Sequence, residues 1–296
     1  AEDGIRDRVS CLVGSEMCIR DRGPGCRSQC RRRTSHQTPA QRANQAMTDT
    51  ATEPKHYAEL AKILGRHELP QGWVVVGSSA YARVAVDESA GVFYKEFLPR
   101  SPLERIKALF KGSRCTRARL QNETLRDAGF DTPVNLAWGS LPGGREYLFS
   151  SAVPGNGVTT WLREELVSRE GESLTLRRCL LHQLGDFIGR LHAAGFTHGD
   201  LRTSTVLAAR DDQGFHFYLI DNERNRRDTP AAGKEVLRNL MQLNMLRPGD
   251  ISQRDRMRFF LRWRQQMSHL NDAEAKLLAR ESYRWAHKRL RKKGLV

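Results

Sequence analysis

The chain has 296 residues, of which 39% are hydrophobic, and its formal net charge is +15. This length allows one large or two smaller domains with a buried core. No apolar run approaches the roughly eighteen residues that a membrane-spanning helix needs, so the sequence predicts a soluble or peripherally attached protein. The charge predicts an anionic partner, which could be a phosphate-bearing substrate, an acidic membrane surface or nucleic acid.

Residues 1–46 differ in character from the rest of the chain. They contain four of the six cysteines, a run of three arginines and the tetrapeptide IRDR twice, and no amphipathic period runs through them. They read like translated sequencing-adapter text, so we expect a spurious or disordered leader, with Met47 as the expected start. The leader carries nine Lys/Arg and five Asp/Glu, a net +4 that leaves +11 on residues 47–296. The basic character therefore belongs to the remaining chain.

The sequence becomes β-like from Trp73. Trp73–Val76 and Tyr81–Val86 are predicted strands on either side of the small-residue loop Gly77–Ala80, and a third strand, Gly91–Phe97, follows a turn. Lys95 lies in the middle of that third strand among apolar and aromatic neighbours, where a buried ammonium needs an anionic partner. Two alternatives stay open: Gly77–Ala80 as a plain hairpin turn, and Lys95 on a solvent-facing side of its strand.

A strongly basic segment follows, from Pro99 to Gly129, and its apolar residues recur at helical spacing. Its second half, Cys115–Ala128, is predicted to form a separate helix that ends at Gly129. Glu123 is the acidic residue in the interior of this helix and is the candidate partner of Lys95. The alternative is a surface ion pair between Glu123 and Arg119, four residues earlier.

A long amphipathic helix, Ser173–Gly195, leads into the most informative stretch, Phe196–Arg227. Within that stretch Asp200 and Asp221 each end an apolar segment, and a predicted hairpin separates them. Because a hairpin returns the chain on itself, both carboxylates are expected to face one cleft. One could accept a hydroxyl proton while the other holds Mg²⁺, which is the division of labour in phosphoryl transfer. Alternatively, Asp200 caps a turn and Asp221 ends a surface strand.

The motif His198-Gly199-Asp200, followed about twenty residues later by Asp221-Asn222-Glu223-Arg224, resembles the catalytic core of the protein-kinase-like fold. It is most similar to that of the bacterial lipopolysaccharide-core (Kdo and heptose) kinases. The resemblance implies an α+β, two-lobed protein-kinase-like fold. Residues 47–150 would form a small β-rich N-lobe, and residues 151–296 a mainly helical C-lobe with a basic C-terminal tail.

The resemblance also implies a role for each candidate residue. Asp200 would orient and deprotonate the acceptor hydroxyl, and Arg202 would stabilise charge in the transition state. Asp221 would bind the magnesium ion that bridges the nucleotide phosphates. The remaining candidates would bind the nucleotide: Lys95 at the α- and β-phosphates, Glu123 positioning that lysine, and Gly77 and Ser78 in the loop over the phosphates.

Thr205 departs from the family pattern. Five residues after the base, kinases of this fold usually have an asparagine that ligates a second metal ion, and some lipopolysaccharide kinases have a histidine. Thr205 is the residue here, and we assign it as a candidate metal ligand although a hydroxyl is a poorer ligand than an amide carbonyl. A single-metal mechanism, a different ligand such as Asn222, or loss of activity are the alternatives.

The expected function is an ATP- and Mg²⁺-dependent kinase that phosphorylates a sugar hydroxyl of the lipopolysaccharide inner core. The acceptor would be the lipopolysaccharide core or another anionic molecule, and the location would be cytoplasmic. The basic run at residues 287–293 further suggests peripheral binding to the anionic cytoplasmic face of the inner membrane. No nucleic-acid partner is expected, because no recognised binding motif accompanies the charge. The alternatives are a kinase of the same fold acting on a protein or soluble small molecule, and a pseudokinase or basic binding module.

Overall fold

The computed structural model describes residues 54–99, 112–231 and 233–296. The leader expected at residues 1–46 and most of the basic helical segment expected after Pro99 lie outside the described residues. The chain divides into two compact units, and the described residues fall into them as 54–153 and 154–296.

The first unit contains a five-stranded antiparallel sheet in the order β1-β2-β3-β5-β4. Its elements in chain order are helix α1 (Pro54–Gly65), β1 (Trp73–Ser79), β2 (Ala82–Asp87), β3 (Val92–Phe97), helix α2 (Arg114–Asp127), β4 (Asn135–Leu141) and β5 (Arg145–Ser151). Strand β3 is the central strand, and Lys95 on it pairs with Val84 of β2 and Leu148 of β5. The three predicted strands and the helix that ends at Gly129 are therefore confirmed.

The predicted loop Gly77–Ala80 is wrong in extent. Strand β1 continues through Ser79, and only Ala80 and Tyr81 form the turn to β2. The register of the β1–β2 pair shifts between Val76 and Ser79. An irregularity of this kind accommodates an extra residue in one strand, so the small residues interrupt the ladder without ending the strand.

A different helix packs against each face of this sheet. One face packs against α1 through a cluster that includes Trp73, Tyr94, Tyr147 and Phe149. The other packs against α2 through Phe97, Leu148, Cys115 and Ala118.

Glu96 lies on the α1 side of β3 and is completely buried. Its carboxylate pairs with Arg145 at 2.8 Å and with Arg83 at 3.5 Å. Arg145 also donates to the carbonyl of Gly65 at the end of α1, at 2.8 Å. Since neighbouring residues of a strand face opposite sides, Lys95 lies on the α2 side.

The second unit is mainly helical. Its elements are β6 (Asn156–Gly157), a short helix α3 (Val158–Thr160) that continues as a π-helical turn (Trp161–Glu165), α4 (Gly171–Ala193), β7 (Phe196–Thr197), β8 (Val206–Asp211), β9 (Gly214–Leu219), a 3₁₀ turn (Asn222–Arg224), β10 (Arg226–Arg227), α5 (Gly233–Leu243), α6 (Gln253–Gln266) and α7 (Asp272–Lys292). The predicted helix Ser173–Gly195 is confirmed within about two residues at each end as α4, and the predicted hairpin is confirmed as the β8–β9 pair. None of the described helices is both long and apolar enough to cross a membrane.

Helix α4 is the centre of the second unit. Its leucines from Leu180 onward and Ile188 are buried, and Gly185 and Gly189 let α6 approach closely. A Cβ at Gly185 would overlap the carbonyl oxygen of Phe259, and one at Gly189 would lie 2.7 Å from the Cβ of Gln266. This approach places the indole of Trp263 in a fully buried position against α4.

Two short strand pairings hold the stretch Phe196–Arg227. Strands β6, β8 and β9 form an antiparallel sheet, and β7 pairs with β10 with Thr197 opposite Arg226 and Phe196 opposite Arg227. Strand β7 immediately precedes His198, and β10 follows the turn that begins at Asp221. The pairing therefore brings the two acidic motifs together although they are about twenty residues apart.

Candidate active site

The backbone of His198 is fixed by helix α5. Its N–H donates to the side-chain oxygen of Asn239 at 2.9 Å, and the amide nitrogen of Asn239 donates back to the His198 carbonyl at 2.6 Å. The imidazole fixes two further backbone groups: Nδ1 accepts from the N–H of Asp200 at 3.0 Å, and Nε2 lies 3.0 Å from the carbonyl of Ile220. Because a carbonyl can only accept, the proton is on Nε2. His198 thus ties the loop to the residue before Asp221.

Burial lowers the pKa of His198. The hydrogen bond to Ile220 and the charges of Asp221 and Asp200 favour the protonated ring, but loss of solvent outweighs them. The ring is therefore neutral near pH 7, and both of its nitrogens are engaged with the backbone. This arrangement suits a structural role better than proton exchange.

Gly199 is required by the close approach of the second motif. A Cβ at this position would overlap the Cβ of Arg224 and lie 2.8 Å from its carbonyl oxygen. The Gly199 N–H donates to the side chain of Asn225 at 3.3 Å. The loop around Asp200 and the turn after Asp221 are therefore in direct contact and form one site.

One oxygen of the Asp200 carboxylate is held by two hydrogen-bond donors. Its Oδ1 accepts from Nε of Arg202 at 3.0 Å and from Nε2 of Gln242 at 2.9 Å. Within the part of the chain that the structure describes, Oδ2 accepts no hydrogen bond, and the side chain is 40% exposed. A carboxylate oxygen in this state can accept a proton from an incoming hydroxyl. Arg202 is 60% exposed beside it.

The hydroxyl of Thr205 closes the loop on itself. It accepts from the N–H of Arg202 at 3.0 Å, and it lies 2.9 Å and 3.0 Å from the carbonyls of Asp200 and Arg202, one of which takes its proton. The residue is 8% exposed. The metal role assigned to Thr205 stays a prediction, and the structure gives its hydroxyl a second function in the loop.

The alternative ligand Asn222 is similarly occupied. Its amide nitrogen donates to the carbonyl of Leu219 and its oxygen accepts from Asn225, both at 2.9 Å. The side chain is 2% exposed. Both the nitrogen and the oxygen of the Asn222 side-chain amide therefore bond to residues in or next to the turn.

Asp221 has a left-handed backbone conformation, with φ at +61°, and is exposed. Aspartate tolerates this conformation better than most residues, and such strain is often found at functional sites. No group of three or more His, Cys, Asp or Glu that could hold a metal ion occurs among the described residues. Mg²⁺ usually takes one or two carboxylates and completes its shell with water and substrate phosphates. One exposed carboxylate therefore fits an ion that binds together with a nucleotide.

The candidate nucleotide-binding residues lie in the first unit. The Lys95 ammonium is 5.5 Å from the centre of the Phe97 ring, and the residue is half-buried. Glu123 pairs with Arg119 at 3.0 Å, and its side chain is 43% exposed. A Cβ at Gly77 would contact nothing within 4 Å, so sterics do not demand glycine there; nothing is described for the side chain of Ser78. The roles of these residues, and the pairing of Lys95 with Glu123, stay predictions.

Four residues that the sequence did not single out as functional support Asp200 through a continuous series of hydrogen bonds. The indole of Trp263 donates to Nδ1 of His192 at 2.9 Å, and Nε2 of His192 lies 3.2 Å from Oδ1 of Asn239. The amide nitrogen of Asn239 is 3.3 Å from Oε1 of Gln242, and Gln242 donates to Asp200 at 2.9 Å. These side chains come from α4, α5 and α6, so no local motif could have revealed them.

The buried histidines predict a loss of stability in mild acid. Complete burial lowers the pKa of His192 from 6.5 to about 4. Below pH 6.5 the unfolded chain binds a proton that the folded chain does not bind until about pH 4, so stability falls as the pH decreases through that window. For His192 alone the free energy of unfolding should fall by about 2 kcal/mol between pH 7.5 and pH 5.

Urea denaturation across this pH range measures the effect. His198 contributes in the same direction, because its pKa is also lowered. The His192→Gln variant keeps polar groups in place but cannot titrate, so it should be less stable at pH 7.5 and lose less stability on acidification. If the free energy of unfolding depends on pH equally in the wild type and in the variant, the loss of stability in acid does not come from His192.

Comparison with known proteins gives a family match in the second unit. Residues 157–262 match the lipopolysaccharide kinase (Kdo/WaaP) family, and this segment includes the whole stretch from His198 to Arg224. The matched segment covers about a third of the chain's 296 residues. The resemblance seen in the sequence is confirmed, and a match to this family implies an ATP-dependent phosphotransferase.

Similarity to a solved structure extends over a longer part of the chain. The structure of WaaP in complex with acyl carrier protein has a TM-score of 0.54 and 16% identity, covering 88% of this chain and 99% of that chain. The bifunctional kinase-methyltransferase WbdD has a TM-score of 0.45 and 19% identity, covering 72% of this chain and 46% of that chain. No curated protein sequence gives a significant match. At such identities the likeness to WaaP shows the mixed α/β fold alone.

Proposed function

We propose that this kinase transfers the γ-phosphoryl group of ATP to a sugar hydroxyl, on Kdo or heptose, in the inner core of lipopolysaccharide. The observation that supports the proposal is the contact between the Asp200 loop and the Asp221 turn. Among the described residues, it presents one carboxylate oxygen that accepts no hydrogen bond and an exposed second carboxylate, in a segment that matches the lipopolysaccharide kinase family.

The chain's residues divide the work of the reaction. Asp200 accepts the hydroxyl proton through Oδ2, while Oδ1 is held by neighbouring donors. Arg202 places a guanidinium beside the reacting group, where it can offset the negative charge of the phosphoryl group. Asp221 would hold Mg²⁺, which neutralises phosphate charge when it is bound. Lys95, positioned by Glu123, would bind the α- and β-phosphates, and the Gly77–Ser78 segment would cover them.

Transfer of radiolabelled phosphate tests the proposal. The full chain is incubated with ATP, with and without Mg²⁺, and with lipopolysaccharide that carries only the inner core. We expect Mg²⁺-dependent labelling of the lipid acceptor. Acceptors that end in Kdo alone, or in Kdo and heptose, would separate the two sugars. Labelling of a protein or soluble molecule with no label on any lipid acceptor would overturn the choice of acceptor.

We also propose that helix α7 docks on an anionic membrane surface. Its outer face combines two exposed apolar side chains, Leu277 at 49% and Trp285 at 39% exposed, with exposed cations. The cations on this face are Arg284, Lys288, Arg291 and Lys292. The acidic residue among them, Glu281, already pairs with Arg280 and Arg284 at 3.1 Å and 3.3 Å. A basic face with an interfacial tryptophan suits the headgroup region of an anionic bilayer.

Vesicle binding should be selective for negative charge. The full chain is expected to sediment with vesicles that contain phosphatidylglycerol and to bind neutral phosphatidylcholine vesicles much less. The double variant Lys288→Gln, Arg291→Gln should weaken binding by about 30-fold, since each surface charge contributes about 1 kcal/mol. The matched control is Lys234→Gln, Arg254→Gln, which removes two exposed cations elsewhere in the same unit. Equal losses in both variants would indicate attraction by total charge only.

A further inference from the structure

Gln242 occupies a position from which it can orient the catalytic carboxylate. It lies on α5, and its side chain spans two groups of the loop: Nε2 donates to Oδ1 of Asp200 at 2.9 Å, and Oε1 accepts from the N–H of Leu201 at 3.1 Å. A carboxylate can only accept and a backbone N–H can only donate, so these partners fix the direction of the amide. Gln242 is 7% exposed, which limits competition from water.

We propose that Gln242 is a positioning residue that reserves Oδ2 of Asp200 for the acceptor hydroxyl. The inference rests on the proposed function, in which Asp200 is the base. Arg202 and Gln242 together supply two donors to Oδ1, which leaves Oδ2 for substrate on a side chain that is 40% exposed. Arg202 is 60% exposed and can leave Asp200 to follow a phosphoryl group, whereas Gln242 is anchored in the helix. Gln242 therefore fixes the rotation of the carboxylate independently of the arginine.

The rest of α5 makes this anchor rigid. Asn239, one turn earlier, holds both backbone groups of His198 and contacts Oε1 of Gln242 at 3.3 Å. The loop backbone and the carboxylate are thus positioned by the same helix. A carboxylate that turns by a small angle no longer meets the hydroxyl at hydrogen-bond distance, and misplacement of this size reduces rate more than binding.

Two substitutions of Gln242 test whether it orients the Asp200 carboxylate or only stabilises the fold. Gln242→Glu keeps the size and the acceptor for Leu201 but replaces the donor with an oxygen that repels Oδ1. Gln242→Leu removes both bonds without introducing a charge. We expect kcat to fall by about 100-fold in the glutamate variant and about 10-fold in the leucine variant, while the KM values for ATP and for the inner-core acceptor stay within about twofold of wild type.

Met241→Ala is the matched control. Met241 is the fully buried neighbour of Gln242 on α5, and its truncation should lower the melting temperature without contact to Asp200. Well below that temperature its kcat should match that of wild type. If all three variants lose kcat in proportion to their melting temperatures, Gln242 is only structural and the inference fails. If Asp200→Asn retains activity, the proposed base is wrong, which is a separate failure.

Discussion

Asp200→Asn is expected to reduce kcat for phosphate transfer by about 100- to 10,000-fold, because a positioned general base contributes a factor of this size. Asparagine has the same shape, so the backbone bonds from Asp200 to His198 and Thr205 can persist. Its amide group can still accept from Gln242 through the oxygen, but it cannot take the proton of the acceptor. The loss should therefore appear in kcat and leave nucleotide affinity nearly unchanged.

The matched control for this variant is Asp212→Asn. Asp212 is exposed in the turn between β8 and β9, so its replacement removes the same charge from the same unit. The two variants are compared by their initial rates at saturating ATP and by their nucleotide affinities, measured by calorimetry. Activity of the Asp200 variant near that of the control would remove Asp200 from the role of base.

Asp221→Asn should abolish most of the stimulation by Mg²⁺. Asparagine tolerates the left-handed conformation as aspartate does, so the substitution removes the charge and retains the backbone. A metal ion that stabilises transition-state charge is worth several kcal/mol, and we expect kcat to fall by about 1,000-fold at millimolar Mg²⁺. Binding of ATP without metal should be little affected.

A titration with Mg²⁺ measures this effect. Rates and nucleotide affinities are compared over a wide range of metal concentration for the wild type, Asp221→Asn and Asp221→Ala. Alanine tests the backbone separately, because it is strained at a positive φ. An unchanged metal dependence in the asparagine variant would exclude Asp221 as a ligand, and a defect in the alanine variant alone would assign the residue a purely conformational role.

The sequence predicted the local elements in and before the stretch Phe196–Arg227 well. The α4 stripe, the β8–β9 hairpin and the two acidic motifs all have short-range signals: helical periodicity, strand alternation and a turn between apolar runs. These signals fix where each aspartate lies along the chain. The extent of the Gly77–Ala80 loop was wrong, because small residues permit a loop but also permit an irregular strand.

The supporting residues could not be predicted in the same way. Asn239 and Gln242 are ordinary polar residues on a short amphipathic helix, and only the packing of α5 against the loop gives them partners there. His192 on α4 likewise has two hydrogen bonds in the core, and its partners come from α5 and α6. The nucleotide-binding assignments depend on pairings across a fold, such as Lys95 with Glu123, that no local spacing encodes.

The hydrogen bonds that connect Trp263 to Asp200 run in a single direction. An indole N–H can only donate and a carboxylate can only accept, so the two ends determine the tautomer of His192 and the orientations of Asn239 and Gln242 between them. Every bond dipole then has its positive end towards the carboxylate, and neighbouring bonds polarise one another. Neutral groups, beginning with a fully buried tryptophan, therefore add to the stabilisation that Arg202 gives the negative charge of Asp200.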